Sequence, residues 1–182
     1  LEIGDEPMQF HQKFPEIAVA VGEERIVAIP QMLHDRSNLQ AIILDDAFQH
    51  RVVQAGFNIL LTEYSDIYTN DFFLPTGNLR DEWKSAKRAN IIVVTKCPSD
   101  LSQANKYKTL RSLKPNTNQK VYFTSIEYGI PYHIYNKKDE WVLTSNDEVL
   151  LVCGIANPQP LTDYIHESTK TYDALFYSDH HI

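Results

Sequence analysis

Positive charge, cysteine and glycine are all scarce in this chain of 182 residues. Seventeen Lys and Arg against 24 Asp and Glu leave a net charge of -7, which argues against a general nucleic-acid binder, whose footprint is basic, while leaving room for a local basic patch. The two cysteines, Cys97 and Cys153, are far apart and have no C-x-x-C spacing, so a disulfide framework is excluded and a reduced, cytoplasmic compartment is expected. None of the six glycines is followed by Lys, so these residues hold no Walker A loop. G-x-G-x-x-G, H-E-x-x-H and the serine nucleophile elbow are missing too. No apolar run approaches the roughly 20 residues of a membrane span, and the first residues carry no signal-peptide pattern. Any meeting with a membrane is therefore expected at its surface.

What remains is ordinary for a folded protein, with 43% hydrophobic and 23% charged residues and enough length to bury a core. Apolar, β-branched runs predict strands at Ile17–Val21, Ala41–Leu44, Phe57–Thr62, Ile91–Thr95, Lys120–Ile126, Val149–Cys153 and Tyr172–Tyr177. Helix-compatible spacing falls between them at Glu24–Leu39, Asp46–Ala55, Asp81–Ala89, Asp100–Leu113 and Pro158–Ser168. This alternation predicts an α/β fold, a mostly parallel sheet flanked by helices. A β-hairpin appendage over 132–144 interrupts it, with Asn136 to Asp139 as the polar loop. The Pro- and Asn-rich stretch after Lys114 suggests a core region 1–116 and a C-terminal α/β region 117–182. Both ends look cut, so the sequence reads as a piece of a longer chain.

The most informative residues follow the run Ala41–Leu44, which ends in the adjacent carboxylates Asp45 and Asp46. At the carboxyl end of a strand in an open α/β sheet, such a pair suits Mg²⁺ and a phosphate ligand. A helix N-cap is the competing reading. Gly4-Asp5-Glu6-Pro7 makes either a helix start with Pro7 in the first turn, or a carboxylate, Asp5, held as a general base. Leu74 to Asp81 reads as a turn fixed by Pro75 and Gly77, capped by Asn78 or Asp81, with Arg80 offering a planar fork to phosphate. Gly154 to Pro158 is a strand-to-helix junction where packing competes with anion binding. Lys96 follows Val93-Val94-Thr95 without the Asp that guanine reading requires, so it reads as a strand end in solvent. His180 and His181 would face apart on an extended chain and cannot easily share one ion. Either the segment is a polar terminus, or a histidine there pairs with a carboxylate such as Asp5.

Taken in order, Gly4 to Pro7, Asp45 to His50, Leu74 to Asp81, Val94 to Lys96, Gly154 to Pro158 and Asp179 to His181 resemble the tetraacyldisaccharide 4'-kinase family, which contains the lipid A kinases of Gram-negative bacteria. Ala47 stands where the family usually has Gly, Asn78 where it has Pro, and Asp81 where it has Glu, which suggests a divergent branch of Bacteroidetes type. The resemblance implies a truncated P-loop NTPase-like fold that uses ATP and Mg²⁺. It implies phosphorylation of the 4'-hydroxyl of a lipid A precursor, tetraacyl glucosamine disaccharide 1-phosphate. The location it implies is the cytoplasmic face of the inner membrane, with no nucleic acid and no obligate protein partner.

The same resemblance makes Asp5 the base for that hydroxyl, with His180 as its partner. Asp45 and Asp46 serve the Mg²⁺–nucleotide end, and Gln49, His50, Arg80 and Asp81 contact the substrate. The family's Walker A loop precedes the Gly4 motif, so these residues alone are expected to fold without turning over substrate. Two other classes fit the residues as well: a nucleotide-independent α/β binding module, and a metal-dependent phosphohydrolase using Asp45, Asp46 and His180.

Overall fold

A computed structural model describes residues 4–77 and 79–178. Two compact units emerge, 1–126 and 127–182. The first is built around a parallel sheet of β1 (Ile59–Glu63), β2 (Ile91–Thr95) and β3 (Lys120–Phe123), in that order. Ile91–Thr95 takes the centre because every one of its residues is β-branched and it can bury both faces. Its neighbours pair in register, Leu61 opposite Val93 and Val93 opposite Tyr122. Ile92 and Val94 are fully buried and pack with Ile67, Ala89, Cys97 and Leu113. Strand β3, which the sequence reading gave to the C-terminal region, is hydrogen-bonded to β2 and belongs with the first unit.

Helix α1 spans Asp5–Lys13, α2 Arg25–Asp35 and α3 Gln103–Leu113. Pro7 sits in the first turn of α1 as its fixed φ favours. Ser102 starts α3 by accepting a hydrogen bond from the Asn105 N–H at 3.2 Å, and Leu113 at its end enters the core. Between β1 and β2 the described residues form two short 3-10 helices, Tyr68–Asn70 and Trp83–Arg88, and an isolated bridge from Phe73 to Leu79. The second 3-10 helix replaces the helix expected over Asp81–Ala89.

The second unit pairs β6 (Glu148–Cys153) with β7 (Thr171–Phe176) in parallel, joined through α4 (Gln159–Ser168). Leu151, Cys153 and Ile165 are buried there. Tyr128 stacks on Tyr164 with ring centroids 4.7 Å apart. The hairpin joins β4 (Tyr132–His133) to β5 (Asn136–Glu140) and turns at Ile134 and Tyr135. The expected loop, Asn136 to Asp139, is therefore strand. Every residue of both strands is exposed, and without a buried face polarity does not separate strand from loop.

Two expected strands and a second expected helix do not form either. Ile17–Val21 and Ala41–Leu44 are irregular, and Ile43 is 93% exposed. A strand is made by its neighbour's hydrogen bonds, and among the described residues nothing pairs with either run. Asp46–Ala55 forms turns rather than a helix: Asp46 has φ 42°, a left-handed conformation that takes the backbone off the right-handed helical path. The N-cap reading of the acidic pair falls with that helix. Among the described residues no helix is long and apolar enough to cross a membrane.

Ile92→Ala is expected to cost about 2–5 kcal/mol in urea unfolding, the range for emptying a packed aliphatic site. Ile43→Ala should stay within about 0.5 kcal/mol of the parent chain. A loss of several kcal/mol at Ile43 would instead place 41–44 in a buried strand.

Candidate functional site

The acidic pair lies on an exposed bend. Asp45 Oδ1 accepts a hydrogen bond from the Asp46 N–H at 3.0 Å, the Gln49 amide donates to the Asp46 carbonyl at 2.9 Å, and the His50 N–H closes a turn onto Ala47 at 3.0 Å. His50 is exposed and Gln49 half-buried. Phe48, just before Gln49 in the chain, packs against the core cluster around Ile92 and Val94, so one apolar residue anchors a loop of polar ones.

A second loop brings Arg80 to this bend. The Leu79 N–H donates to the Phe72 carbonyl and the Leu74 N–H to the Leu79 carbonyl, each at 3.1 Å, which folds 72–79 back on itself. A Cβ at Gly77 would run into the Phe72 carbonyl and the Asp71 carboxylate, so the turn requires glycine there. Arg80 Nη1 then donates to Asp46 Oδ2 at 2.8 Å, with both side chains largely exposed. Asn78 lies outside the described residues.

Asp81 is placed differently. Its side chain is 20% exposed, and Oδ1 accepts from Arg51 Nη2 at 2.6 Å and from the Glu82 N–H at 2.9 Å. Oδ2 accepts from Arg88 Nη2 at 3.0 Å. Arg51 also donates to Ser85 Oγ at 2.9 Å. Arg88 donates to the Phe48 carbonyl at 2.8 Å and lies over the Phe48 ring, 4.5 Å from its centroid. Burial by itself would raise the Asp81 pKa, but hydrogen bonds from Ser85, the Glu82 N–H and Arg51, with the Arg51 charge, together hold it below the ordinary value of 3.8.

The structure therefore brings together six of the residues singled out from sequence: Asp45, Asp46, Gln49, His50, Arg80 and Asp81. Asp5 opens α1, and His180 lies outside the described residues. Sequence reasoning missed Arg51 and Arg88. Arg51 directly follows the Gln49-His50 motif and was within reach of that reading; the contact of Arg88 with Phe48, 40 residues away, leaves no local signal. Lys96, with φ 53°, ends β2 in an ion pair with Glu63 at the end of β1. At the junction before α4 the Asn157 side chain takes up the Gln159 N–H at 3.2 Å. Among the described residues no group of three or more His, Cys, Asp and Glu side chains is arranged to hold a metal ion.

A carboxyl whose folded-state pKa is depressed adds stability above its unfolded value, and that stability is lost as the pH falls through the folded one. Asp81→Asn should therefore lower the urea midpoint at neutral pH, and the difference from the parent should close as the pH drops below 3.8. A difference that persists unchanged into strong acid would contradict the ionised, arginine-paired Asp81.

The family model for tetraacyldisaccharide-1-P 4'-kinase matches residues 1–182. Proteins named tetraacyldisaccharide 4'-kinase from Flavobacterium johnsoniae and Flavobacterium psychrophilum are 44% and 45% identical to this chain, over 98% of it and 52% of their own length. One of the same name from Parabacteroides distasonis is 41% identical over 99% of this chain and 50% of its own. The chain thus spans about half the length of the curated relatives it matches. No solved structure matches it. With its whole length matched by the family model, the chain belongs to the tetraacyldisaccharide-1-P 4'-kinase family.

Proposed function

We propose that this chain forms the acceptor and metal-facing part of an ATP-dependent kinase that phosphorylates the 4'-hydroxyl of tetraacyl glucosamine disaccharide 1-phosphate, a lipid A precursor, at the cytoplasmic face of the inner membrane. The observation that carries the reading is the meeting of the acidic bend with Arg80 within one matched family domain. Carboxylate and guanidinium stand side by side there, one suited to a hard cation and the other to an anionic headgroup.

The donor set fits Mg²⁺, which is commonly held by one or two carboxylates together with substrate phosphates and water. Asp45 and Asp46 supply two adjacent, exposed carboxylates of that kind. The fit to ATP is partial: the sequence has no glycine-rich loop ending in Lys, so the grip on the β- and γ-phosphates is no part of these residues. That missing grip belongs to the P-loop NTPase-like fold assigned here to the complete protein. When bound, Mg-ATP supplies the transferable phosphoryl group.

The chain's own residues bind and orient. Arg80 exchanges its bond to Asp46 for the anionic headgroup, and Gln49 and His50 face the sugar. Asp5 accepts the proton of the 4'-hydroxyl. Phosphoryl transfer is mostly positioning and charge stabilisation, so the binding geometry is most of what the protein contributes.

The test is transfer of labelled phosphate from ATP to tetraacyldisaccharide 1-phosphate. The chain joined to the segments of the Flavobacterium johnsoniae relative that it does not span should catalyse it, and the 182 residues alone should not. In the completed protein Asp45→Asn should lower kcat by about 10²–10³-fold, as for loss of a preorganised charge stabiliser. Phosphate release by the 182 residues alone, abolished by chelation, would point to a metal-dependent hydrolase instead.

A further inference from the structure

Asp81 differs from its neighbours in one physical respect: both of its carboxylate oxygens are already occupied. Arg51 and the Glu82 N–H take Oδ1, Arg88 takes Oδ2, and only a fifth of the side chain is exposed. Asp46 and Arg80, by contrast, are 74% and 66% exposed. Arg88 is the more telling of the two arginines. A single nitrogen, Nη2, donates both to Asp81 Oδ2 and to the Phe48 carbonyl, and the guanidinium also covers the Phe48 ring. Phe48 belongs to the acidic bend, and Asp81 directly follows Arg80 in the chain. The Asp81–Arg88–Phe48 connection is therefore a tie between the two loops that carry the ligand-facing groups.

Resting on the kinase reading of this site, we propose that Arg88, assisted by Arg51, is a positioning residue: through Asp81 it sets the distance between the Asp45–Asp46 bend and Arg80, and Asp81 serves this tie rather than the substrate. The ligand-facing work stays with Asp45, Asp46, Gln49, His50 and Arg80. A carboxylate shared by two guanidiniums is a strong and directional partner, because each bond is charge-assisted. Withdrawing Asp81 leaves both guanidiniums without their carboxylate, and withdrawing Arg88 leaves Asp81 with Arg51 alone and Oδ2 without its charge-assisted bond. The tie crosses 40 residues of sequence between Phe48 and Arg88, so it acts only in the folded chain.

Two readouts separate this proposal from a general loss of stability and from direct substrate contact. In the 182-residue chain, amide exchange at Asp46 and His50, measured by NMR, should speed up roughly ten-fold or more in Arg88→Gln and in Asp81→Asn, the scale set by losing one charge-assisted hydrogen bond. Exchange at Ile92 and Val94, the most buried strand positions, should remain at the parent value. Arg88→Lys should recover most of the change, because one donor nitrogen makes both bonds.

In the chain joined to the relative's remaining segments, Arg88→Gln and Asp81→Asn should each lower kcat about ten-fold with little change in KM for the disaccharide, and the double variant should be no worse than either single one. Additive losses, or a rise in KM with Asp81→Asn while Arg88→Gln is normal, would overturn the proposal by placing Asp81 on the substrate. Unchanged exchange at Asp46 and His50 would overturn it as well. If the completed parent protein transfers no phosphate, the kinase reading fails and the exchange arm alone decides whether the tie exists.

Discussion

The placement of Phe48 is the constraint on which the site depends. Its ring packs on the cluster built around Ile92 and Val94, and its carbonyl and ring are both engaged by Arg88. Without that anchor, the residues from Asp45 to Arg51 would be an exposed polar segment with no strand or helix to hold it. The connection runs from sequence to chemistry in few steps. A β-branched run makes β2, β2 buries Ile92 and Val94, that core receives Phe48, and Phe48 holds the bend before it so that Asp46 meets Arg80.

Two kinds of ion pair divide the work there. The Asp46–Arg80 pair is exposed, and pairs of that kind contribute about 0–1 kcal/mol. It is weak enough to be exchanged for a ligand. The Asp81 group is less exposed, has partners on both oxygens and holds its carboxyl ionised below the usual range. A bonded frame beneath exchangeable ends is what a site acting by position and charge requires.

Much of the fold was legible from the sequence for physical reasons that can be named. Ile91–Thr95 is strand at the predicted bounds because a buried parallel strand must be apolar on both faces. Helices α3 and α4 fall inside their predicted spans, α3 with Ser102 as its cap. Ala41–Leu44 has the same composition as a core strand but forms none among the described residues, because pairing is a property of two segments and composition of one. The hairpin strand Asn136–Glu140 went unread for the opposite reason: it pairs without burying anything. In the site, the motifs Asp45 to His50 and Arg80-Asp81 were readable in order along the chain. The tie from Arg88 to Phe48 was not, since nothing in either segment announces the other.

Membership of the kinase family does not by itself say that the acidic bend and the Arg80 loop act on one ligand, and that is the central claim. It is tested most directly by ¹⁵N NMR of the 182-residue chain as tetraacyldisaccharide 1-phosphate is added in detergent micelles. The account predicts shifts that saturate together at 45–51 and 79–81, with Ile92 and Val94 unmoved. Shifts confined to one of the two loops, or saturating at different ligand concentrations, would contradict a single shared site.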